Sequence, residues 1–197
     1  MKTNNRHYCL LCCGILRKEI NAILPELTRE YGKIDITYVD PGLHVDLDKL
    51  SAALAQKLAE MKQTSGKLTL VYGSKCHPDM DQLACNWDAK ILEPPDCISL
   101  LAGPQRDLLD RECRTFYLSP GWLEHWERIF KTGLGWDTID ARQNMGFYDR
   151  ILLLDTGVAS LSDEKILEFY DYCQVPVDIF PVELDYMKQS LFKTLAT

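Results

Sequence analysis

Three cysteines lie at or just after the end of a predicted β-strand. Cys13 ends the apolar run in CLLCCGIL, Cys76 follows the strand in LVYGSKCHP, and Cys97 follows the proline pair in PPDCISLL. Elements that alternate between strand and helix build a parallel sheet, which gathers the carboxyl ends of its strands along one edge. Three thiols that meet there would form a soft-metal or iron–sulfur site. The sequence therefore predicts Cys13, Cys76 and Cys97 as metal ligands.

The local sequence around each of these cysteines favours a reactive thiol. Cys13 directly precedes a turn into a helix and Cys97 begins one, and the amides of a helix N-terminus lower a thiol pKa. Lys75 and His77 flank Cys76, and a neighbouring cation favours a thiolate. We therefore expect lowered pKa values at all three positions. For Cys13 the alternative of a buried strand cysteine that only packs remains open.

The other five cysteines are interpreted as packing residues. Cys9 and Cys12 form a C-x-x-C spacing, but positions three apart in a strand point to opposite faces, so the two are poor co-ligands. The remaining three fall inside or at the ends of helical patterns, where a thiol packs as a small apolar group; they are Cys85, Cys113 and Cys173.

Three further residues are candidates for binding a cofactor. His44 follows the second strand in PGLHVD, so it belongs to the same edge as a fourth ligand or an acid–base group, or is a solvated turn histidine. Asp155 follows the strand ILLL and could bind a cation or a ligand hydroxyl, or form a turn. Trp122 shares a helix face with Trp126 and either packs in the interior or offers apolar surface.

The elements that must position these residues alternate along the chain. Short apolar or alternating runs predict seven strands over residues 8–13, 34–39, 67–72, 90–92, 115–118, 150–154 and 177–180. Helical periodicity lies between them, as in residues 46–62, where leucine recurs at three- and four-residue intervals. The pattern predicts an α/β fold, a single three-layer domain over residues 1–197 with a mainly parallel sheet. We expect residues 122–146 to form a helical cap over the sheet edge.

Composition excludes several classes of function. The chain has 197 residues and a net charge of -7, which argues against a nucleic-acid binder because phosphates require a basic face. It has no run of eighteen apolar residues to span a membrane, and its N-terminal apolar run leads straight into LRKEI, unlike a signal peptide. We expect a cytoplasmic protein with reduced cysteines. The G-x-G-x-x-G, Walker, G-x-S-x-G and H-E-x-x-H motifs are missing.

The blocks CGILRKEI, YGSKC, DCISLLAG, TFYLSPGW and RILLLDTGV resemble domain-of-unknown-function family 1638, proteins of methanogenic archaea and anaerobic bacteria. The resemblance covers nearly the whole chain and places Cys13, Cys76 and Cys97 at the cysteine positions of the family. It implies a support role in anaerobic corrinoid-dependent methyl transfer, with a corrinoid protein or a methyltransferase as partner. In this chain His77 follows Cys76 directly and is a further candidate ligand.

Three hypotheses follow for the function. In the first, the three thiolates hold an iron–sulfur cluster or a zinc ion with one open position. In the second, one cysteine is the nucleophile or methyl acceptor of a thiol-dependent enzyme of methyl-group chemistry. In the third, the chain is a binding module without catalysis that holds a corrinoid or a methyltransferase on the apolar surface of Trp122, Trp126 and Trp136. The corrinoid signature D-x-H-x-x-G is absent.

The distances between the three sulfurs distinguish the possible centres. Sulfurs that ligate one tetrahedral zinc ion lie about 3.5–4 Å apart, because each bond is roughly 2.3 Å long. Those that ligate a cubane cluster are spread further, on the order of 6–7 Å apart.

Overall fold

The predicted strands are present in the computed structural model, which describes residues 7–64 and 66–196. They are β1 (His7–Cys13), β2 (Lys33–Val39), β3 (Lys67–Val71), β4 (Lys90–Ile91), β5 (Thr115–Leu118), β6 (Arg150–Asp155) and β7 (Val177–Pro181). Strands β1, β3 and β6 are almost continuously buried, in keeping with their uninterrupted apolar runs.

The strands divide between two sheets, with the orders β2-β1-β3-β4 and β5-β6-β7, and every pair is parallel. Strand β1 pairs with β2 from His7 opposite Lys33 to Cys13 opposite Val39. The predicted α/β class with parallel strands is confirmed. The division into two sheets was not evident in the sequence, since periodicity identifies strands but not their partners. The assignment of residues 1–197 to one domain stays a prediction.

Helices connect the strands, as parallel pairing requires. They are α1 (Arg17–Tyr31), α2 (Leu47–Lys62), α3 (Met80–Asn86), α4 (Cys97–Ala102), α5 (Gln105–Glu112), α6 (Pro120–Glu124), α7 (Thr138–Met145), α8 (Asp163–Cys173) and α9 (Asp185–Ala196). A π-helical segment spans Glu127–Gly133. Three short 3-10 turns follow β1, β2 and β3 within three residues; they are Gly14–Leu16, Pro41–Val45 and Ser74–Cys76.

Side-chain caps fix the starts of two helices near the carboxyl edge of the four-stranded sheet. The Asp96 carboxylate accepts a hydrogen bond from the Ser99 amide at 2.7 Å, so α4 begins at Cys97. The Ser119 hydroxyl accepts from the Trp122 amide at 3.3 Å and starts α6. Each cap contributes about 1 kcal/mol to helix stability. The caps therefore determine where Cys97 and Trp122 sit.

Two buried contacts join the halves of the molecule built on the two sheets. The carboxylate of Glu19 on α1 accepts a hydrogen bond at 3.0 Å from the hydroxyl of Thr156, which follows β6. Gly121 on α6 packs against the backbone of Ile15, so closely that an added Cβ would lie 1.9 Å from the Ile15 carbonyl oxygen. Helix α6 therefore lies on the turn that follows β1. The predicted helical segment over residues 122–146 is present, and its first helix contacts the sheet edge.

Among the helices of residues 7–64 and 66–196, none has the length and apolar character needed to cross a bilayer. The first six residues, which belong to the N-terminal stretch that was judged unlike a signal peptide, lie outside the described part of the chain.

Candidate functional site: a cavity lined by three thiols

Cys13, Cys76 and Cys97 line one small cavity at the carboxyl edge of the four-stranded sheet. Cys13 is the last residue of β1, Cys76 ends the 3-10 turn after β3, and Cys97 begins α4 after β4. The cavity measures about 10 Å³, which is room for roughly one water-sized atom. Most of its remaining wall is apolar and includes Leu16, Val71, Leu92 and Leu100. The three thiols thus meet, while their role as ligands stays a prediction.

The three sulfurs are farther apart than the sulfur ligands of a single tetrahedral zinc ion. Within the described part of the chain, one group of three ligand atoms lies mutually within 4.8 Å, and it consists of His7, Cys9 and Asp35. Because Cys13, Cys76 and Cys97 do not form such a group, at least one pair of their sulfurs is more than 4.8 Å apart. That separation exceeds the roughly 3.5–4 Å expected around one tetrahedral ion.

Polar groups near each of the three sulfurs favour its thiolate form. The thiol pKa is lowered by the Tyr72 side chain and the Ile15 backbone at Cys13, by the Gly73 backbone at Cys76, and by the Trp122 side chain at Cys97. A thiol is a weak hydrogen-bond acceptor, whereas a thiolate is a strong one. Donors around sulfur are also what tunes metal-bound thiolates in iron–sulfur and zinc sites.

Burial raises the thiol pKa values, so the expectation of lowered values was wrong. Loss of hydration is the largest cause at all three positions; it raises the pKa of Cys97 to about 12 and shifts those of Cys13 and Cys76 upward as well. Mutual repulsion adds to the shift at Cys13 and Cys97. The neighbouring polar groups oppose this effect but are outweighed by it. Without a cation the thiols are therefore protonated at neutral pH, and a bound cation would have to displace the protons.

His44 lies beside Cys13, as the sequence predicted. Both of its ring nitrogens are 3.9 Å from the Cys13 sulfur, and its ring packs edge-on against Trp122 with the centroids 5.3 Å apart. Burial lowers the imidazole pKa below its ordinary value of 6.5, so the ring is neutral near pH 7. A neutral imidazole can donate a lone pair to a metal. The position of His44 is thus compatible with the predicted role of a fourth ligand, and that role stays a prediction.

A larger cleft of about 430 Å³ opens outward from the cavity. The two share His44, Cys76, Asp96 and Cys97. Aromatic side chains carried by the second half of the chain form one wall of this outer cleft, and they are Phe116, Tyr117, Trp122 and Tyr148. The two cations of its lining are Lys75 and Arg106.

Sequence reasoning missed most of the outer cleft. Asp96 caps α4, but its ion pair with Arg106, at 2.6 and 2.8 Å, is not evident from the spacing in the sequence. Tyr72 ends the predicted strand over residues 67–72, and periodicity does not show that its side chain lowers the pKa of the Cys13 thiol. The aromatic wall depends on how the two sheets dock. The available signal was the Ser119-Pro120 helix start, which fixes Trp122 directly after a strand end.

Two candidate residues serve local turns. The Asp155 carboxylate accepts a hydrogen bond from the Gly157 amide at 2.9 Å, and Asp155 ends β6 in the three-stranded sheet. The His77 ring accepts one from the Asp79 amide at 3.0 Å. Neither residue is among those that line the cavity or the outer cleft. The structure therefore does not bring Asp155 or His77 together with the three thiols.

The remaining cysteines largely pack as expected. Cys12 and Cys173 are fully buried, and Cys113 is half-buried. Cys85 is exposed, so its interpretation as a packing residue was wrong. Helix α3 is short and buries only the face that carries Met80 and Ala84, which leaves Cys85 in solvent.

A second group of ligand-type side chains lies at the amino end of β1. The His7 ring is 2.7 Å from the Asp35 carboxylate and 3.7 Å from the Cys9 sulfur. The Cys9 sulfur also lies 3.2 Å from the Thr64 hydroxyl. Cys9 is buried, as its packing interpretation required. The side chains of this group hydrogen-bond to one another, at the opposite end of the sheet from the three-thiol cavity.

Comparison with known proteins matches the chain to one protein family. A family model described as "Protein of unknown function (DUF1638)" matches residues 38–191, a range that includes Cys76 and Cys97 but not Cys13. No curated protein matches significantly. A solved structure, described as that of PH1733, an aspartate racemase homologue from Pyrococcus horikoshii OT3, is 11% identical. It matches over 95% of this chain and 97% of its own with a TM-score of 0.39, a level that says nothing about activity.

Proposed function

The chain belongs to the family of unknown function DUF1638, and we propose that it binds a soft metal centre through Cys13, Cys76 and Cys97. The observation that carries the proposal is that three thiols, each beside a group that favours its thiolate form, line one mostly apolar cavity. In the cell, this centre would support anaerobic corrinoid-dependent methyl transfer in a reducing cytoplasm. That setting rests on the family resemblance.

Three packing cysteines would not need this arrangement. A neutral thiol behaves as a small apolar side chain and leaves nearby donors poorly satisfied. Here Tyr72, Gly73 and Trp122 each lower the pKa of one of the three thiols. These groups favour thiolates, and buried thiolates require a cation because an isolated charge is costly in an apolar site. Together, these groups and the burial support a metal-loaded state.

The enclosed volume favours a single ion over a cluster. The cavity has room for one water-sized atom, whereas a cubane would require sulfurs on the order of 6–7 Å apart and a larger space. The separation of more than 4.8 Å within the triplet must then shrink when an ion binds. Cys76 lies on a short turn and is partly exposed, so it is the thiol most free to move. We propose zinc as the ion, with His44 or an exogenous ligand in the fourth position.

The open position would face the outer cleft. A zinc ion with three protein ligands activates a bound thiol or water as a Lewis acid. The cleft, at about 430 Å³, has the size of a small-molecule site, which typically spans about 300–1,000 Å³. A corrinoid would therefore be held by a partner protein, and this chain would supply the thiolate centre.

Anaerobic purification followed by analysis of zinc, iron and acid-labile sulfide tests the proposal. Cys13→Ser, Cys76→Ser and Cys97→Ser should each lose stoichiometric metal. Cys9→Ser and Cys85→Ser, matched controls elsewhere in the chain, should retain it. Wild-type protein that contains no stoichiometric metal and has all three thiols free would overturn the proposal. Equal amounts of iron and sulfide would show that the centre is an iron–sulfur cluster and not a single ion.

One observation favours a thiol-dependent enzyme as the second candidate. Cys76 and Cys97 line the outer cleft, where a substrate could reach them. Their raised pKa values count against a free thiolate nucleophile, because the thiol must ionise before it attacks. Loss of turnover in one cysteine variant alone, in a protein without metal, would favour this candidate.

The binding-module hypothesis receives less support from the tryptophans. Trp126 is 3% exposed and packs against Phe169 and Tyr172. Trp136 stacks on Phe130 with the ring centroids 5.8 Å apart. Trp126 is therefore enclosed by the protein and Trp136 is half-buried, so these two side chains offer less apolar surface to a partner than the hypothesis expects.

A further inference from the structure

The outer cleft carries one positive charge that no internal ion pair neutralises. Arg106 is bound by the Asp96 carboxylate at 2.6 and 2.8 Å, and Asp110 lies behind it at 3.7 Å. Among the described residues no carboxylate lies within 4.0 Å of the Lys75 ammonium group, the other cation of the lining. The whole chain has a net charge of -7, so a cationic lining runs against its average. Charge complementarity therefore favours a monoanion.

The aromatic wall of the cleft is held in place by ring contacts. Phe116 packs edge-on against Tyr148 with the centroids 5.3 Å apart, and it lies 6.2 Å from Phe130. Trp122 lies 6.0 Å from the same Phe130 ring. Leu47 and Ile98 complete the apolar lining. Fixed aromatic faces favour a planar, apolar ligand body.

We propose that the outer cleft binds a small planar organic monoanion, an aromatic or conjugated carboxylate. Its carboxylate lies on Lys75, and its ring lies against Phe116 and Tyr148. Its far end reaches the open position beside Cys76 and Cys97. This inference names the ligand class of the proposed metal site, but only the last contact rests on that function. The first two require no metal.

Titration of metal-depleted protein tests the ligand class. The probes are benzoate, benzamide, acetate and inorganic phosphate. The binding of each probe is measured by NMR chemical-shift changes or by calorimetry. Benzoate should bind tightest of the four. Lys75→Met should weaken benzoate binding about fivefold, the effect of one partly exposed charge pair, and change benzamide binding less than about twofold. Lys75→Arg should restore benzoate binding. Tyr148→Leu should weaken benzoate and benzamide by about the same factor, roughly fivefold.

Lys67→Met, at the other end of the sheet, should leave benzoate binding unchanged. The proposal is overturned if benzoate at about 10 mM shows no binding to folded wild-type protein. It is also overturned if benzamide or acetate binds as well as benzoate, if phosphate binds more tightly, or if Lys67→Met and Lys75→Met act alike.

The same variants separate this inference from the proposed function. Lys75→Met should retain metal as wild type does, because Lys75 is not a proposed ligand. Wild-type protein without metal that still follows the benzoate pattern would refute the metal centre and leave the ligand class standing. Stoichiometric metal held by the three thiols, without the benzoate pattern, would refute the ligand class and leave the metal centre standing.

Discussion

Strand β1 carries a ligand-type cysteine near each end, and the two ends differ in kind. At the amino end, Cys9 lies with His7 and Asp35, whose ligand atoms are already within 4.8 Å of one another. At the carboxyl end, Cys13 meets two other thiols that are farther apart. Distance alone would assign the metal to the amino end. Yet His7 and Asp35 hydrogen-bond at 2.7 Å, whereas the Cys13 thiol at the carboxyl end lies beside groups that favour its thiolate form.

The closeness of ligand atoms and their readiness to bind an ion are therefore separate properties of the two groups. An ion entering the amino-end group would have to break the bond between His7 and Asp35 and compete with Lys33, whose ammonium group lies 3.4 Å from the same carboxylate. An ion entering the carboxyl-end cavity would displace protons from thiols that already lie beside groups favouring the thiolate form. We therefore expect the looser group to be the stronger site.

The largest expected effect is on metal affinity. Structural zinc binds with about 10–16 kcal/mol in all, so one of about four ligands accounts for roughly 4 kcal/mol. Cys13→Ser should therefore weaken zinc binding about 1,000-fold, while Cys9→Ser should change it less than about threefold. Competition with a chromophoric chelator measures both. A large loss in the Cys9 variant with none in the Cys13 variant would reverse the comparison.

The next effect is on stability and uses one glycine near each end of β1. In Gly121→Ala the new Cβ would meet the Ile15 carbonyl, a backbone atom that cannot move aside, and we expect a loss of about 3 kcal/mol. In Gly66→Ala the new Cβ would lie 2.4 Å from the Cys9 sulfur, a side-chain atom that can rotate, and we expect about 1 kcal/mol. Urea unfolding measures the difference. Equal losses would mean that α6 is free to move away from the sheet edge.

A smaller effect is on the pH dependence of stability, and it concerns the buried side chain of Glu19 on α1. Burial raises the pKa of Glu19 above its ordinary value of 4.5, and its Oε2 has no hydrogen-bond partner among the described residues. The folded state therefore binds the proton more tightly, so stability falls as pH rises from 4.5 through the folded pKa. Glu19→Gln should flatten this fall and stabilise the protein at pH 8 by about 1 kcal/mol. Chemical unfolding at pH 5 and pH 8 tests this, and an unchanged slope contradicts it.

The smallest effect lies near the amino end of β1. There, stability is lost as pH falls, whereas at Glu19 it is lost as pH rises. The hydrogen bond from His7 lowers the pKa of Asp35 below its ordinary value of 3.8. Its contribution to stability is fully present above that value and is lost as pH falls through the folded pKa. Because Asp35 is half exposed, Asp35→Asn should cost only about 0.5 kcal/mol at pH 7 and nothing at low pH. Glu30→Gln, at an exposed site, is the control, and a cost that persists at low pH refutes the assignment.

The sequence predicted those parts of the site that depend on local chain direction. Cys13, Cys76 and Cys97 each follow a strand, and parallel pairing brought their positions to one edge. Asp155 also follows a strand, but its strand belongs to the second sheet, and no periodicity reveals that division. The contact of Trp122 with Cys97 depends on the packing of Gly121 against Ile15, which joins residues more than a hundred positions apart. The direction of the thiol pKa shifts required the depth of burial, and spacing does not give it.

The three thiols differ in how firmly the backbone holds them. Cys13 is paired within β1, opposite Val39, so the sheet fixes its position. Cys76 lies on a single 3-10 turn, where a small rotation moves its sulfur without breaking a ladder. A site with one fixed ligand and one mobile ligand can adjust to ions of different radius, so it does not discriminate between them by size. We therefore expect cadmium, a larger soft ion, to be accepted as readily as zinc, so that discrimination between the two would depend on supply in the cell.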